Sequence, residues 1–268
     1  MKLRPSRAGA LIVALTALLA VGPALLGTQA AVASRGQQDL PQGVAFTRLA
    51  NAEIEVPLAP LYFGLARFTF GPGSQGIPET GGGPAVFFVE SGTMTFYTGD
   101  AAAALQNQGA TPAPVTGTTV EAGQQFAVPV GTLYASHNQG ATEASVLRVV
   151  AFPAAAPPPG GAAFERLVYG VVTDLPPAPV TIEIDRVTIL PGAGNPLPTG
   201  LGATLIYVES GIASLTGPGI EAALTTAFVN AGTESIVRNS GGEPLVLLQV
   251  SLKGTAAGNG TPAATPAA

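Results

Sequence analysis

Hydrophobic and polar positions alternate over short stretches of this chain. Phe68-Thr69-Phe70, Val86 to Glu90 and Thr93 to Tyr97 all read as strands that bury large apolar side chains. No long amphipathic stretch of helical period follows the N-terminus, so the pattern predicts an all-β protein. The pattern also returns. Phe88-Val89-Glu90-Ser91-Gly92 recurs as Tyr207-Val208-Glu209-Ser210-Gly211, and Arg67 to Gly73 lies over Arg186 to Gly192 at the same offset of 119. Ala45-Phe46-Thr47-Arg48-Leu49 lies over Ala163-Phe164-Glu165-Arg166-Leu167, shifted by one residue. Copies of about 100 residues are too long for solenoid units and long enough to be domains.

These repeats set the expected boundaries. Residues 43–152 form the first domain and 162–252 the second, joined by the Pro-rich spacer 153–161. Residues 34–42 are polar and loose, and the low-complexity tail 253–268 is expected to be disordered. Ala, Gln and Thr between Gly99 and Thr118, with Pro112 and Pro114, predict an elongated loop; the second copy makes a shorter connection around Gly217 to Glu221.

The first 33 residues read as an export signal. Lys2, Arg4 and Arg7 precede an apolar run from Ala8 to Leu26 that ends in Ala31-Val32-Ala33. The protein is expected to be secreted or extracytoplasmic, with an uncleaved membrane anchor as the alternative. Without the signal's three cations, the eleven Lys and Arg fall to eight against sixteen Asp and Glu, a formal −8 with Lys253 the sole lysine. An acidic chain without a basic patch argues against nucleic acid as a partner. Zero cysteines exclude disulfides, a thiolate nucleophile and sulfur ligands. Charged residues are only 10%, and 35 Gly with 25 Pro suit short strands joined by tight turns.

The segment from Gly123 through Pro129, Gly131 and Tyr134 to Asn138 resembles the second cupin motif, in which Tyr134 takes the place of a histidine. Gly92 and Gly211 resemble the close of the first motif, and the second copy keeps Gly232 and Asn239 but has Asn230 in place of Pro. The chain is similar to two-domain cupins, which implies two tandem jelly-roll β-barrels. Strands interrupted by Pro and Gly turns suit such small barrels independently.

The resemblance also implies a metal site of three histidines and one glutamate in each barrel. Those positions carry Ala85, Tyr134 and the run Pro78 to Gly81 in the first copy. In the second they carry Thr204, Ser235 and the run from Leu197 to Gly200. Only Glu79 keeps ligand chemistry, and a transition metal normally needs three or four convergent donors. No metal and no cofactor are expected.

Glu79, Tyr134 and Ser136 are the candidate ligand-binding residues, because alternation turns Tyr134 and Ser136 into the first barrel. The same alternation turns His137, the sole histidine, towards the surface. Glu90 and Glu209 precede Ser-Gly and are assigned a turn role. The leading expectation is an exported, metal-free bicupin that binds a small molecule or is structural, and not an enzyme. The alternative is a metal-independent isomerase or lyase using Glu79 with Tyr134, or His137, for proton transfer. A homodimer through barrel faces is a further possible partner arrangement.

Overall fold

The computed structural model describes residues 41–106, 115–154, 164–176, 178–198, 202–217 and 220–254. The signal segment, most of the spacer and the tail beyond Gly254 lie outside the described residues. The first copy supplies β1 (Val44–Ile54), β2 (Leu61–Phe70), β3 (Glu79–Thr80), β4 (Ala85–Ser91) and β5 (Thr93–Thr98). Helix α1 (Asp100–Gln106) follows, then β6 (Thr118–Glu121), β7 (Gln125–Val128), β8 (Leu133–His137) and β9 (Ala144–Pro153). The second copy supplies β10 (Phe164–Val172), β11 (Val180–Ile189), β12 (Gly194–Pro196), β13 (Thr204–Ser210) and β14 (Ala213–Gly217). It ends with β15 (Ile220–Leu224), β16 (Thr226–Val229), β17 (Ile236–Asn239) and β18 (Leu245–Gly254).

Each copy closes into an antiparallel jelly-roll barrel from one large and one small sheet. In the first barrel the large sheet runs β10-β2-β9-β4-β7 and the small one β3-β8-β5-β6. In the second barrel the orders are β1-β11-β18-β13-β16 and β12-β17-β14-β15. The chain therefore has a double jelly-roll fold, all-β as the alternation predicts.

The first strands are exchanged. β1 pairs with β11 of the second copy, and β10 pairs with β2 of the first. Both exchanged strands carry the same irregularity, a register shift at Leu49 and at Leu167. The one-residue offset of the repeat there comes instead from the connection that follows, where residues 55–58 of the first copy correspond to residues 173–177 of the second. The spacer at 153–161 divides the copies in sequence, but in space each copy's first strand belongs to the other's sheet.

Three cores follow from this arrangement. The largest lies where the two large sheets face each other, joining Phe63, Leu65 and Val149 of one copy to Ile182, Leu205 and Val250 of the other. Complete burial of one such side chain stabilises by roughly 1.5–3 kcal/mol. The other two cores fill the barrels, one around Phe87, Met94 and Phe96, the other around Val187, Ile206 and Val237.

Glu90 and Glu209 do not serve turns. They meet Arg67 and Arg186 in a four-membered ion-pair cluster that spans the two copies. Arg67 Nε donates to Glu90 Oε2 at 2.7 Å, and its Nη2 donates to Glu90 Oε1 at 3.0 Å and Glu209 Oε1 at 2.8 Å. Arg186 Nε donates to Glu209 Oε2 at 2.8 Å, and its Nη2 to Glu90 Oε1 at 3.1 Å. Because Arg67 corresponds to Arg186 and Glu90 to Glu209, the repeat has built a near-symmetric charge-neutral clasp. Burial raises the Glu90 pKa, but the hydrogen bond and charge of Arg67, helped by Ser145 and Arg186, outweigh it and hold the carboxyl below its ordinary value.

The predicted loop after Gly99 is in part helical. Asp-Ala-Ala-Ala-Ala-Leu-Gln is α1, with Ala102 and Leu105 packed against Tyr97 and Ala135 on the outside of the first barrel. Its alanines and leucine are strong helix formers and Asp100 lies in the positive first turn, a local preference outweighing the expectation set by Pro112 and Pro114. Residues 107–114 of the same stretch lie outside the described residues.

The motif glycines and asparagines have clear structural roles. Gly92 and Gly211 have φ of 75° and 94°. A Cβ there would stand 2.7 Å from Glu143 O and 2.8 Å from Leu245 Cα respectively, so only glycine fits. Asn138 is fully buried; its Nδ2 donates to Phe70 O and Thr142 O, both at 2.8 Å, and its Oδ1 accepts from Gly140 N at 2.9 Å. Asn239 repeats this with Ile189 O, Glu243 O and Gly241 N.

Candidate functional site

The first barrel contains a cavity of about 110 Å³. Alternation along β2 turns Gly64, Ala66, Phe68 and Phe70 into it, and alternation along β9 adds Val146, Arg148 and Val150. Phe87 and Phe96 close the apolar part. Exposed Ile77 and Arg166 and the half-buried Glu79 bring the lining to the surface.

Glu79, Tyr134 and Ser136 all line this cavity, Tyr134 and Ser136 as alternation predicts and Glu79 as the resemblance implies. Glu79 and Tyr134 come together because β3 lies antiparallel to β8 with these two residues opposite each other. The Tyr134 hydroxyl donates to Glu79 Oε1, and Arg148 Nη1 lies 2.6 Å from the same oxygen. Ser136 faces the cavity beside Gly76, where a Cβ would crowd its Oγ at 2.4 Å. His137 is half-buried and is not among the cavity residues; it pairs with Thr95 across the small sheet.

Arg148 is the residue that sequence reasoning missed. Its guanidinium carbon lies 5.6 Å from the Tyr134 ring centroid, 5.7 Å from Phe87 and 5.8 Å from Phe68, within cation–π range of all three. Its Nε is buried without a hydrogen-bond partner. The available signal was one charged residue within Val146-Leu147-Arg148-Val149-Val150, on the inward parity of Val146 and Val150. Burial pushes the Tyr134 phenol well above its ordinary pKa; Arg148 opposes this, and Glu79 reinforces it. Tyr134 is therefore a neutral donor at physiological pH.

The residues present do not fit the metal that the cupin resemblance implies. Among the described residues no three of His, Asp and Glu converge. The one carboxylate at the expected place, Glu79, is held by a guanidinium that would repel a cation. In the second barrel the corresponding places carry Thr204 and Ser235, both buried, and Leu197, part of the apolar core.

The second barrel solves the same geometry differently. Arg148 pairs across the strands with Ala66 and Phe87; the residue in that register in the second copy is Gln249, opposite Asp185 and Ile206. Gln249 accepts from Asn195 Nδ2 at 2.9 Å in a fully buried neutral pair. Ser136 is replaced by Val237 and Phe70 by Ile189, both within the second barrel's core. The first barrel keeps a mostly apolar, partly open cavity with a few polar groups, where the second carries an apolar core and a buried amide pair.

These features define a double jelly-roll protein with a candidate ligand cavity in its first barrel. The chain is similar to AerE from Microcystis aeruginosa, at 11% identity and a TM-score of 0.47, over 80% of this chain and 95% of that one. It is similar to vicilin from hazelnut, Corylus avellana, at 13% identity and a TM-score of 0.46, over 78% and 85%. Oxalate decarboxylase from Lactobacillus farciminis is similar at 11% identity and a TM-score of 0.47, over 77% and 85%. Comparison with protein-family models and with curated proteins gives no match. Strand order, register and motif residues carry the fold here, and the site's own chemistry must carry the function.

Proposed function

We propose that this chain is an exported, metal-free bicupin whose first barrel binds a small molecule and whose second barrel is its structural partner. The observation that supports this is the asymmetry between the barrels. Hydrogen-bonded Asn195 and Gln249 and a continuous apolar core occupy the second, while the first keeps a cavity with Glu79, Tyr134, Ser136 and Arg148 on its wall. An apolar cavity with a few convergent polar groups is the usual form of a small-molecule site. Its volume, about 110 Å³, is below the roughly 150 Å³ of an engineered cavity that holds benzene, so the enclosed part of a ligand is about one ring at most.

A metal-independent isomerase or lyase is the second reading, favoured by the hydrogen bond between Tyr134 and Glu79 inside the cavity. Against it, Glu79 Oε1 already accepts from Tyr134 and pairs with Arg148, so proton transfer would first have to break that arrangement.

Two measurements on the full mature chain test the proposal. Elemental mass spectrometry after purification without chelators or a His tag should find no stoichiometric transition metal; one metal per chain would end the metal-free reading. A fragment screen by ligand-observed NMR should give hits that Ser136→Val and Tyr134→Phe weaken. Hits indifferent to both substitutions would place binding elsewhere. Turnover of a hit, abolished by Glu79→Gln, would move the enzyme reading to the front.

A further inference from the structure

The two barrels can be read as a matched pair in which one shows what the other lacks. Arg48, on exchanged strand β1, stands opposite Asp185 on β11; Arg166, on exchanged strand β10, stands opposite Ala66 on β2. These are equivalent positions of the repeat, with the same register shift just beyond each arginine. In the second barrel Arg48 Nε donates to Asp185 Oδ1 at 2.5 Å, and its Nη1 lies 3.0 Å from Glu183 Oε1. Lys253 also pairs with Glu183, so an internal network of two cations and two carboxylates lines that wall.

In the first barrel both carboxylates are missing. Asp185 corresponds to Ala66 and Glu183 to Gly64, and both small residues line the cavity. The arginine remains: Arg166 lines the same cavity, its guanidinium carbon 5.2 Å from the Tyr169 ring centroid. Among the described residues no carboxylate forms an ion pair with it. Glu79, the cavity's other charged group besides Arg148, is already paired with that arginine. The cavity therefore offers an unmatched cation at one end, an apolar interior, and room where its counterpart carries a side-chain carboxylate.

We infer that the first barrel takes a small monocarboxylate with an apolar body, whose carboxylate pairs with Arg166 in the place that Asp185 fills in the second barrel. This rests on the small-molecule reading above and names the ligand class for that site. The body, about one ring, lies among Phe68, Phe87 and Phe96, and Gly64 and Ala66 leave the carboxylate space beside the guanidinium. A planar guanidinium suits this anion because it can donate two parallel hydrogen bonds to a carboxylate. The recognition residue comes from the second copy, through the exchanged strand.

The test compares benzoate with its neutral isostere benzamide, each titrated by ligand-observed NMR into the full mature chain at low and high salt. Benzoate should bind about tenfold more tightly than benzamide at low salt, the step that one charge-assisted pair supplies. Added salt should narrow this preference, since Arg166 is exposed. Arg166→Gln removes the cation and Ala66→Asp supplies the internal partner; in both, the preference for benzoate over benzamide should fall to near unity. Circular dichroism melts confirm that each variant is folded, and the two substitutions act independently. Equal binding of the two probes in the wild type, or a preference unchanged in both folded variants, would overturn the inference and leave the small-molecule reading standing. No binding of either probe at millimolar concentration would overturn both.

Discussion

Replacing Arg67 by methionine should cost this protein about 2 kcal/mol, a value set between those of exposed and buried ion pairs. The substitution keeps much of the side chain's apolar volume and deletes three hydrogen bonds, two to Glu90 and one to Glu209. It leaves Arg186 as the one cation for both carboxylates, with Ser145 Oγ still donating to Glu90 Oε2 at 3.0 Å. Their side chains are 14% and 18% exposed, and that of Arg67 is 23% exposed, so solvent screens the cluster in part but not fully. A solvated pair would be worth under about 1 kcal/mol, and a fully buried pair broken on one side about 3–5 kcal/mol. Urea unfolding followed by far-ultraviolet circular dichroism suits a chain with no tryptophan. The midpoint should fall without a change in slope. The deficit should also depend on pH. Glu90 has a folded-state pKa below the ordinary carboxyl value of 4.5, so its contribution is complete above that pH and is lost as pH falls through the folded value. The gap between wild type and Arg67→Met should therefore narrow in acid. Replacing all four charged residues by apolar ones of similar size should cost less than Arg67→Met alone, since no carboxylate is then orphaned. A loss below about 0.5 kcal/mol for Arg67→Met at neutral pH, the range of ordinary surface substitutions, would refute this account of the cluster.

Three further outcomes are expected. In alkaline difference spectroscopy, Tyr134 should stay protonated past the ordinary phenol value of 10.0; because its folded pKa is raised, stability present below that pH should fall as pH rises above it, and Tyr134→Phe should remove that part of the fall. Asn138→Ala should cost about 1–3 kcal/mol, because a buried amide that holds three part-buried backbone groups is lost, and Asn239→Ala should cost about the same. A calorimetric scan should show the two copies melting in one transition, since the exchanged strands and the shared core join them; two separated transitions would contradict that coupling.

The repeat made the architecture legible. Strand alternation and the glycine, proline and asparagine spacing led to two jelly rolls, since these features report backbone needs that local sequence expresses. The pairing of Glu79 with Tyr134 and the inward turn of Ser136 were legible for the same reason. The ion-pair cluster was not: Arg67, Glu90, Arg186 and Glu209 all stood out in the repeat, but their meeting depends on how one copy faces the other. Arg148 was visible as a lone charge on an inward parity, and its importance needed Glu79 and three aromatic rings around it. Arg166 was harder still, because nothing local tells that a strand of the second copy walls the first barrel.

That exchange governs how the two halves of the gene can diverge. Residues 164–172 are inherited with the second repeat but shape the first barrel, and residues 44–54 do the reverse. A change selected for specificity in one site can therefore arise in the other repeat's coding sequence. Recombination that replaced one whole repeat with a foreign one would bring in a barrel and, with it, the wrong wall for its neighbour.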